Sequence, residues 1–298
     1  MNHPDGRAIQ ENESFIPERL LRGLVELEAA NSTRAVWDIL VQTGAEMALP
    51  FVEYTYATDF RNPARPQFVH TTIDSVWLTW IDEYQHLRDT ATFRSHGCHY
   101  LTPVTVGVSY FGEMGTISPE RRQHLMMASQ LGVDAAVAFP LRMGIDGQAA
   151  LMTFGGPHSK PDFDDMLIRH GWTLHALSHS AHLRYTELLK TEMVSKFGLT
   201  EKQRELIGLV GLGMMDKQIA HTLGISFSAV RQRLATVQQK TGAQNRADLA
   251  ALAMRLGLVP DPLLRGQTSQ ATVYLSTHAG ATENSDLICP ESDSTAAE

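Results

Sequence analysis

The stretch that decides the fold runs from Leu199 to Val259: LTEKQRELIGLVGLGMMDKQIAHTLGISFSAVRQRLATVQQKTGAQNRADLAALAMRLGLV. Its apolar residues recur every three or four positions, the period of one helix face, and they do so in four short runs. Thr200 opens the first as an N-cap, with Gln203 three residues on as in a capping box, and Leu206, Ile207 and Val210 form its apolar face. Ile219, Ala220 and Leu223 mark the second, which Gly224 closes as a C-cap glycine. Ser226 opens the third, where Val230, Leu234 and Val237 return about every turn. Gly242 and Asn245 break the chain before the fourth, whose seam is Leu249, Leu252, Ala253 and Leu256.

The middle pair reads as a helix-turn-helix, a motif whose second helix lies in the DNA major groove with its N-terminal residues leading. With Val230, Leu234 and Val237 turned inward, Ser228, Arg231, Gln232 and Ala235 face that groove. Arginine pairs bidentately with guanine and glutamine with adenine, so Arg231 and Gln232 are the candidate base readers. Lys217, Ser226, Ser228, Arg233, Lys240 and Arg246 are the candidate phosphate contacts that set the register on the duplex. Charge agrees. From Gly198 to Pro260 there are Lys202, Arg204, Lys217, Arg231, Arg233, Lys240, Arg246 and Arg255 against Glu201, Glu205, Asp216 and Asp248, a basic surplus within a chain of net charge −8. Such a module on an acidic body is the footprint of nucleic-acid binding, and a solvated basic face is the plainer alternative. One short helix reads few bases, so a homodimer on a dyad site with half-sites about ten base pairs apart is expected. The last helix offers an exposed apolar seam for that pairing.

These residues resemble the LuxR-type DNA-binding domain. The likeness rests on LTxxQRE from Leu199, Gly213 before the second helix, IAxxLGIS from Ile219, the V-R-Q-R-L run from Val230 and the closing Gly257-Leu258-Val259. It covers the whole stretch without a gap. Gln218 stands where the family usually has a glutamate that helps hold the helices together, Ala229 replaces the usual threonine and Arg233 the usual histidine. The resemblance implies a regulator of transcription that binds double-stranded DNA. The V-R-Q-R-L run is nearer to the acyl-homoserine-lactone-responsive branch than to the phosphorylated response regulators.

A length of 298 residues suggests about two domains. No run approaches the ~20 apolar residues of a membrane span. The opening MNHPDGRAIQENES lacks the charged-then-apolar order of a secretion signal. Cys98 and Cys289 are the only cysteines, so no disulfide framework can be built. A cytoplasmic location with no membrane partner is the expectation.

Upstream of the helix-turn-helix, Pro17 suits a helix start ahead of Leu20, Leu21, Leu24, Val25 and Leu27, and Ser32 or Thr33 caps a second helix with Val36, Trp37, Ile39 and Leu40 inward. FVEYTYAT from Phe51 reads as a strand. A short helix should carry Trp77, Trp80, Ile81 and Tyr84. A second strand is expected around Pro103–Tyr110, a helix over Ser118–Gln130, a hairpin turning at Asp146-Gly147 and a long helix from Asp162 to about Lys190. That order predicts an α+β (α/β-class) N-terminal domain, an antiparallel sheet with helices on both faces, ahead of an all-α four-helix domain. The expected boundaries are 17–187 for the sensor, 188–197 for a linker and 198–260 for the helix-turn-helix domain. The Ser/Thr/Ala-rich acidic tail over 261–298 is expected to be disordered.

The N-terminal half is similar to the autoinducer-binding domain of LuxR-type regulators, best at GVDAAVAFPLRMGIDGQAALMTFGG. The resemblance places Trp80 and Tyr84, four residues apart, at the mouth of a ligand pocket, Thr153 where a small hydroxyl faces the ligand and Tyr110 at an aromatic position. Tyr54, Tyr56 and Trp77 complete the candidate ligand set. Such a lining suits a small amphipathic molecule, with no other cofactor. The family's aspartate that accepts the amide of an acyl-homoserine lactone should fall nine residues after Tyr84, and Phe93 is there. A buried amide without its acceptor costs about 1–3 kcal/mol. An acyl-homoserine lactone, another small ligand, and ligand-independent DNA binding therefore all stand open.

His96, Cys98 and His99 sit together but lack a further ligand for a closed metal site. His175, His179 and His182 share one helical face near His170, with no HExxH glutamate, so a solvated or dimer-facing stripe is expected in place of a metal site. A pH-sensitive dimer contact is the intermediate reading. No nucleophile elbow, P-loop or dinucleotide fingerprint is present, so catalysis is not expected. Nor does the N-terminal half show a strand ending in a phosphoacceptor aspartate.

Overall fold

The computed structural model describes residues 16–57, 67–73, 96–97, 99–142 and 149–259. Helix α1 (Glu18–Ala29) begins after Pro17, and α2 (Thr33–Glu46) begins at Ser32, whose hydroxyl accepts from the Ala35 amide at 3.2 Å. Strands β1 (Phe51–Ala57), β2 (Gln67–Thr71), β3 (Val104–Val106), β4 (Ala135–Arg142) and β5 (Ala149–Gly156) form one antiparallel sheet in the order β2-β1-β5-β4-β3. Helix α3 (Pro119–Gln130) precedes the β4–β5 pair, and α4 (Lys160–Lys196) follows it.

Strand alternation divides the sheet into two faces. Val52, Tyr54, Val137, Phe139, Ala150, Met152 and Phe154 point to α1, α2 and α4, where they meet Leu27, Trp37, Leu40, Phe163, Leu174 and Leu177 in the main core. Phe51, Val106, Val133 and Ala136 point the other way and pack on Ala128 of α3. This is the α+β arrangement expected, with helices on both faces.

Two elements differ from expectation. The strand expected over Pro103–Tyr110 ends at Val106, and a 3-10 turn takes over at Val108–Tyr110. Gly107 forces the change. Its φ is +122°, and a Cβ there would lie 2.2 Å from the Asp134 carbonyl oxygen. The long helix is also longer than expected: α4 runs for 37 residues, so the segment expected as linker is helical through Lys196. Its end is held because Val194, and Phe197 just beyond, pack on the next core.

That core belongs to four helices, α5 (Glu201–Gly211), α6 (Asp216–Leu223), α7 (Phe227–Thr241) and α8 (Arg246–Arg255). Leu206, Ile207, Val210, Ile219, Val230, Val237, Leu249 and Ala253 are its buried centre. The seam expected to lie open on the last helix is a correction: Leu249 and Ala253 are sealed against the core, because a module this small needs them to close it. The helix expected at Trp77–Tyr84, the hairpin tip at Asp146-Gly147 and the tail from Pro260 lie outside the described residues. Among the described residues no helix is long and apolar enough to cross a membrane.

Candidate nucleic-acid interface and ligand face

Helix α7 is placed by the turn that leads into it. Gly224, in the left-handed region at φ +61°, ends α6, and Ser226 caps α7 by accepting from the Ala229 amide at 3.2 Å. Val230, Leu234 and Val237 are buried, while Ser228, Arg231, Gln232 and Ala235 are exposed, the division expected from the spacing. Ser226 and Lys217 are exposed and Arg233 is half-buried. The Ser226 and Ser228 hydroxyls lie 3.0 Å apart.

The structure adds Phe227, an exposed aromatic whose ring centre lies 6.0 Å from the Arg231 guanidinium carbon, close enough for a cation–π contact. Periodicity had no use for it, since it lies outside the apolar stripe. Two expected phosphate contacts are engaged elsewhere. Lys240 donates to the Gly198 carbonyl at 2.6 Å and to Gln203 Oε1 at 3.0 Å. Arg246 bridges from α8 to Asp216 Oδ1 at 2.5 Å and to the Met214 carbonyl. Gln218 accounts for its own departure from the family: its Oε1 accepts the Met215 amide at 2.7 Å, capping α6 as a carboxylate would.

The expected ligand set is split between the faces of the sheet. Tyr54 lies in the main core with its hydroxyl 2.8 Å from His182 Nδ1, and burial raises the phenol pKa while it pushes the imidazole down to about 4, with His179 adding to the latter. The crevice they share with Trp37, Leu40, Met152, Ala181 and Tyr185 leaves no room for even a water molecule. Tyr56 accepts from Arg255 Nη2 at 3.2 Å. Tyr110 donates to Asp164 Oδ1 at 2.6 Å, and Lys160 joins the same carboxylate at 2.5 Å and Glu113 at 3.0 Å. Burial, then the Asp164 bond, raises the Tyr110 pKa, and the Lys160 and Tyr110 bonds lower that of Asp164. Tyr110 thus anchors the start of α4. Trp77, Trp80 and Tyr84 fall outside the described residues.

Thr153 lies on the opposite face, in register with Glu53 of β1. Glu53 is 7% exposed and Thr153 7%, and buried Thr55 donates to Glu53 Oε1 at 3.2 Å. Thr153, already in the sequence-derived set, is thus joined on one sheet face by the buried Glu53 carboxylate and Thr55 hydroxyl, which that set missed. Alternation along FVEYTYAT contained the signal: one face takes Glu53 and Thr55, the other Tyr54 and Tyr56.

The histidine stripe is likewise divided. His182 turns inward, while His175 is half-buried and His179 exposed. His96 donates from Nε2 to the Thr102 carbonyl oxygen at 2.6 Å. Among the described residues no group of three or more metal-ligating side chains occurs.

A family model for the autoinducer binding domain matches residues 32–185, and one for bacterial regulatory proteins of the luxR family matches residues 198–253. Among curated proteins, the transcriptional regulatory protein YdfI of Bacillus subtilis (strain 168) is 34% identical over 61 residues, 20% of this chain. The chain spans only 29% of that relative's length. A crystal structure of Escherichia coli SdiA superposes with a TM-score of 0.53 at 13% identity, over 84% of this chain and all of that one. SdiA in complex with octanoyl-rac-glycerol gives 0.52 at 16%, over 85% and 98%. At such identities the structures support the fold alone. The two domain matches agree with the sheet and the four-helix module, and the chain belongs to the LuxR-type transcription regulators, an autoinducer-binding domain followed by a DNA-binding helix-turn-helix domain.

Proposed function

We propose that the protein is a homodimeric, ligand-responsive regulator that sets α7 of each copy into the major groove of a dyad operator. The observation that carries this is the two-sided character of α7: its apolar stripe is sealed while Ser228, Arg231 and Gln232 stand open on the side away from the core. Arg231 and Gln232 read base edges, and Lys217, Ser226, Ser228 and Arg233 hold phosphates. Lys240 and Arg246 reach phosphates only by sharing or releasing their present partners.

For the sensor, the polar face made by buried Glu53, Thr55 and Thr153 supports a small amphipathic ligand with a hydrogen-bonding head group. Both the hydroxyls of a glyceride, such as the octanoyl-rac-glycerol with which SdiA is in complex, and the amide N–H of an acyl-homoserine lactone meet that need, so both remain candidate ligands.

Selection of bound sequences from random duplex DNA tests the first part. The expected product is an inverted repeat with half-sites about ten base pairs apart. Recovery of unrelated sequences overturns it. Thermal unfolding with octanoylglycerol and with N-octanoyl-homoserine lactone tests the second, because a ligand at a hundred times its Kd adds about 2.7 kcal/mol. A rise in Tm with neither, alongside intact operator binding, selects the ligand-independent reading.

A further inference from the structure

One side of α4 is left largely uncovered by the rest of the fold. Ile168, Trp172 and Leu183 stand on it 82%, 81% and 69% exposed, with His175 and His179 between them. The spacing of four, three, four and four is that of one helical stripe. No charged residue interrupts it. The neighbouring charges pair among themselves, Arg169 with Asp165 at 2.5 Å and Arg184 with Glu187 at 2.8 Å. Two copies of such a stripe can cover each other without either burying an unpaired charge. An antiparallel two-fold pairing centred on the histidines would set the Ile168–Trp172 end of one stripe beside the Leu183 end of the other.

The histidine geometry adds a second requirement. The Nε2 atoms of His175 and His179 are 3.0 Å apart. Zinc holds imidazole nitrogens at 2.0–2.1 Å, so two of them on a tetrahedral ion are separated by about 3.3 Å, a few tenths more than here. Phe139 stacks on the His175 ring at 5.5 Å and fixes its plane. Burial holds both imidazoles below their ordinary pKa, which keeps the lone-pair form available to a metal. His182, turned in to Tyr54, is not part of the pair.

We infer that His175 and His179 are half of a four-histidine site for a divalent transition-metal ion, zinc first among them, completed by the same pair of a second copy across a two-fold axis. The ion would clip the dimer at α4. This rests on the homodimer reading above.

The full-length chain, stripped with EDTA, is titrated with zinc chloride by calorimetry, and its mass is followed by light scattering. The expected result is one zinc per two chains and a dimer dissociation constant lowered at least about tenfold by the metal. His179→Ala, an exposed position, should abolish zinc binding and the zinc-dependent tightening of the dimer, and His175→Ala should do the same. Trp172→Ala should weaken the dimer with or without zinc. One zinc per chain, no binding, or unchanged binding in His179→Ala overturns the clip while a persisting zinc-free dimer leaves the homodimer reading intact. A chain that stays monomeric with and without zinc removes both.

Discussion

His182 shows what a single side chain can do to the whole stability curve. Buried beside Tyr54 and near His179, it has its pKa lowered from 6.5 to about 4. Below pH 6.5 the unfolded chain takes up a proton that the folded chain refuses, so stability is fully present above that pH and is lost as pH falls towards 4. The linkage amounts to roughly 3 kcal/mol over the window. Urea denaturation between pH 7.5 and 4 should show this slope, and His182→Asn should flatten that share of it. Two arginines of the helix-turn-helix separate by their partners. Arg231→Ala should cost about 1–3 kcal/mol on the operator, relax specificity and leave Tm alone. Arg246→Ala breaks the bonds to Asp216 and Met214, so it should lower stability by about 1–2 kcal/mol as well as DNA affinity. If Arg246→Ala weakens DNA binding with no change in unfolding, its bridging role is wrong.

At the scale of elements, the sequence is legible where contacts are local and opaque where they are not. Four helices of the DNA-binding module follow from period and caps, because Thr200, Ser226 and Asn245 bond three residues ahead and Gly224 closes its own helix. The β4–β5 hairpin is legible for the same reason. The candidate ligand set is not. Tyr54 meets His182 across 128 positions and Tyr110 meets Asp164 across 54, and no pattern along one strand reports partners that distant. The early end of β3 was hidden in Gly107, whose positive φ is set by the approach of the Asp134 carbonyl. Gly107→Ala must either move that carbonyl or leave its φ, at a cost of order 2 kcal/mol. Chemical denaturation measures it, and a loss below about 0.5 kcal/mol would show that the strand end can yield.

The whole molecule depends on α4 more than on any pairwise contact. It packs against α1 and α2, lies on the sheet, and ends with Val194 and Phe197 on the helix-turn-helix core. Near its end Glu192 accepts from the Thr33 amide at 2.7 Å and from the Thr33 hydroxyl at 2.8 Å, so the start of α2 is tied to the same turn. The sensor and the DNA-binding module are therefore joined by helix, where a loose tether would, in the proposed dimer, let the two copies of α7 search for half-sites independently. Lys190→Pro tests what the continuity does. Lys190 is exposed, so packing is spared, but proline removes a helix hydrogen bond and clashes with the preceding turn, costing about 3 kcal/mol of helix. A dimer joined stiffly should bind a dyad only at its own spacing and lose affinity steeply when about five base pairs are inserted. With the helix broken, affinity at the native spacing should fall towards that of a single module, and the penalty for the insertion should shrink, because a flexible tether lowers effective concentration but tolerates many geometries. Gel-shift titration on the two operators gives both numbers, and a Lys190→Pro protein with the wild-type penalty for the insertion would show that α4 does not set the distance between the reading heads.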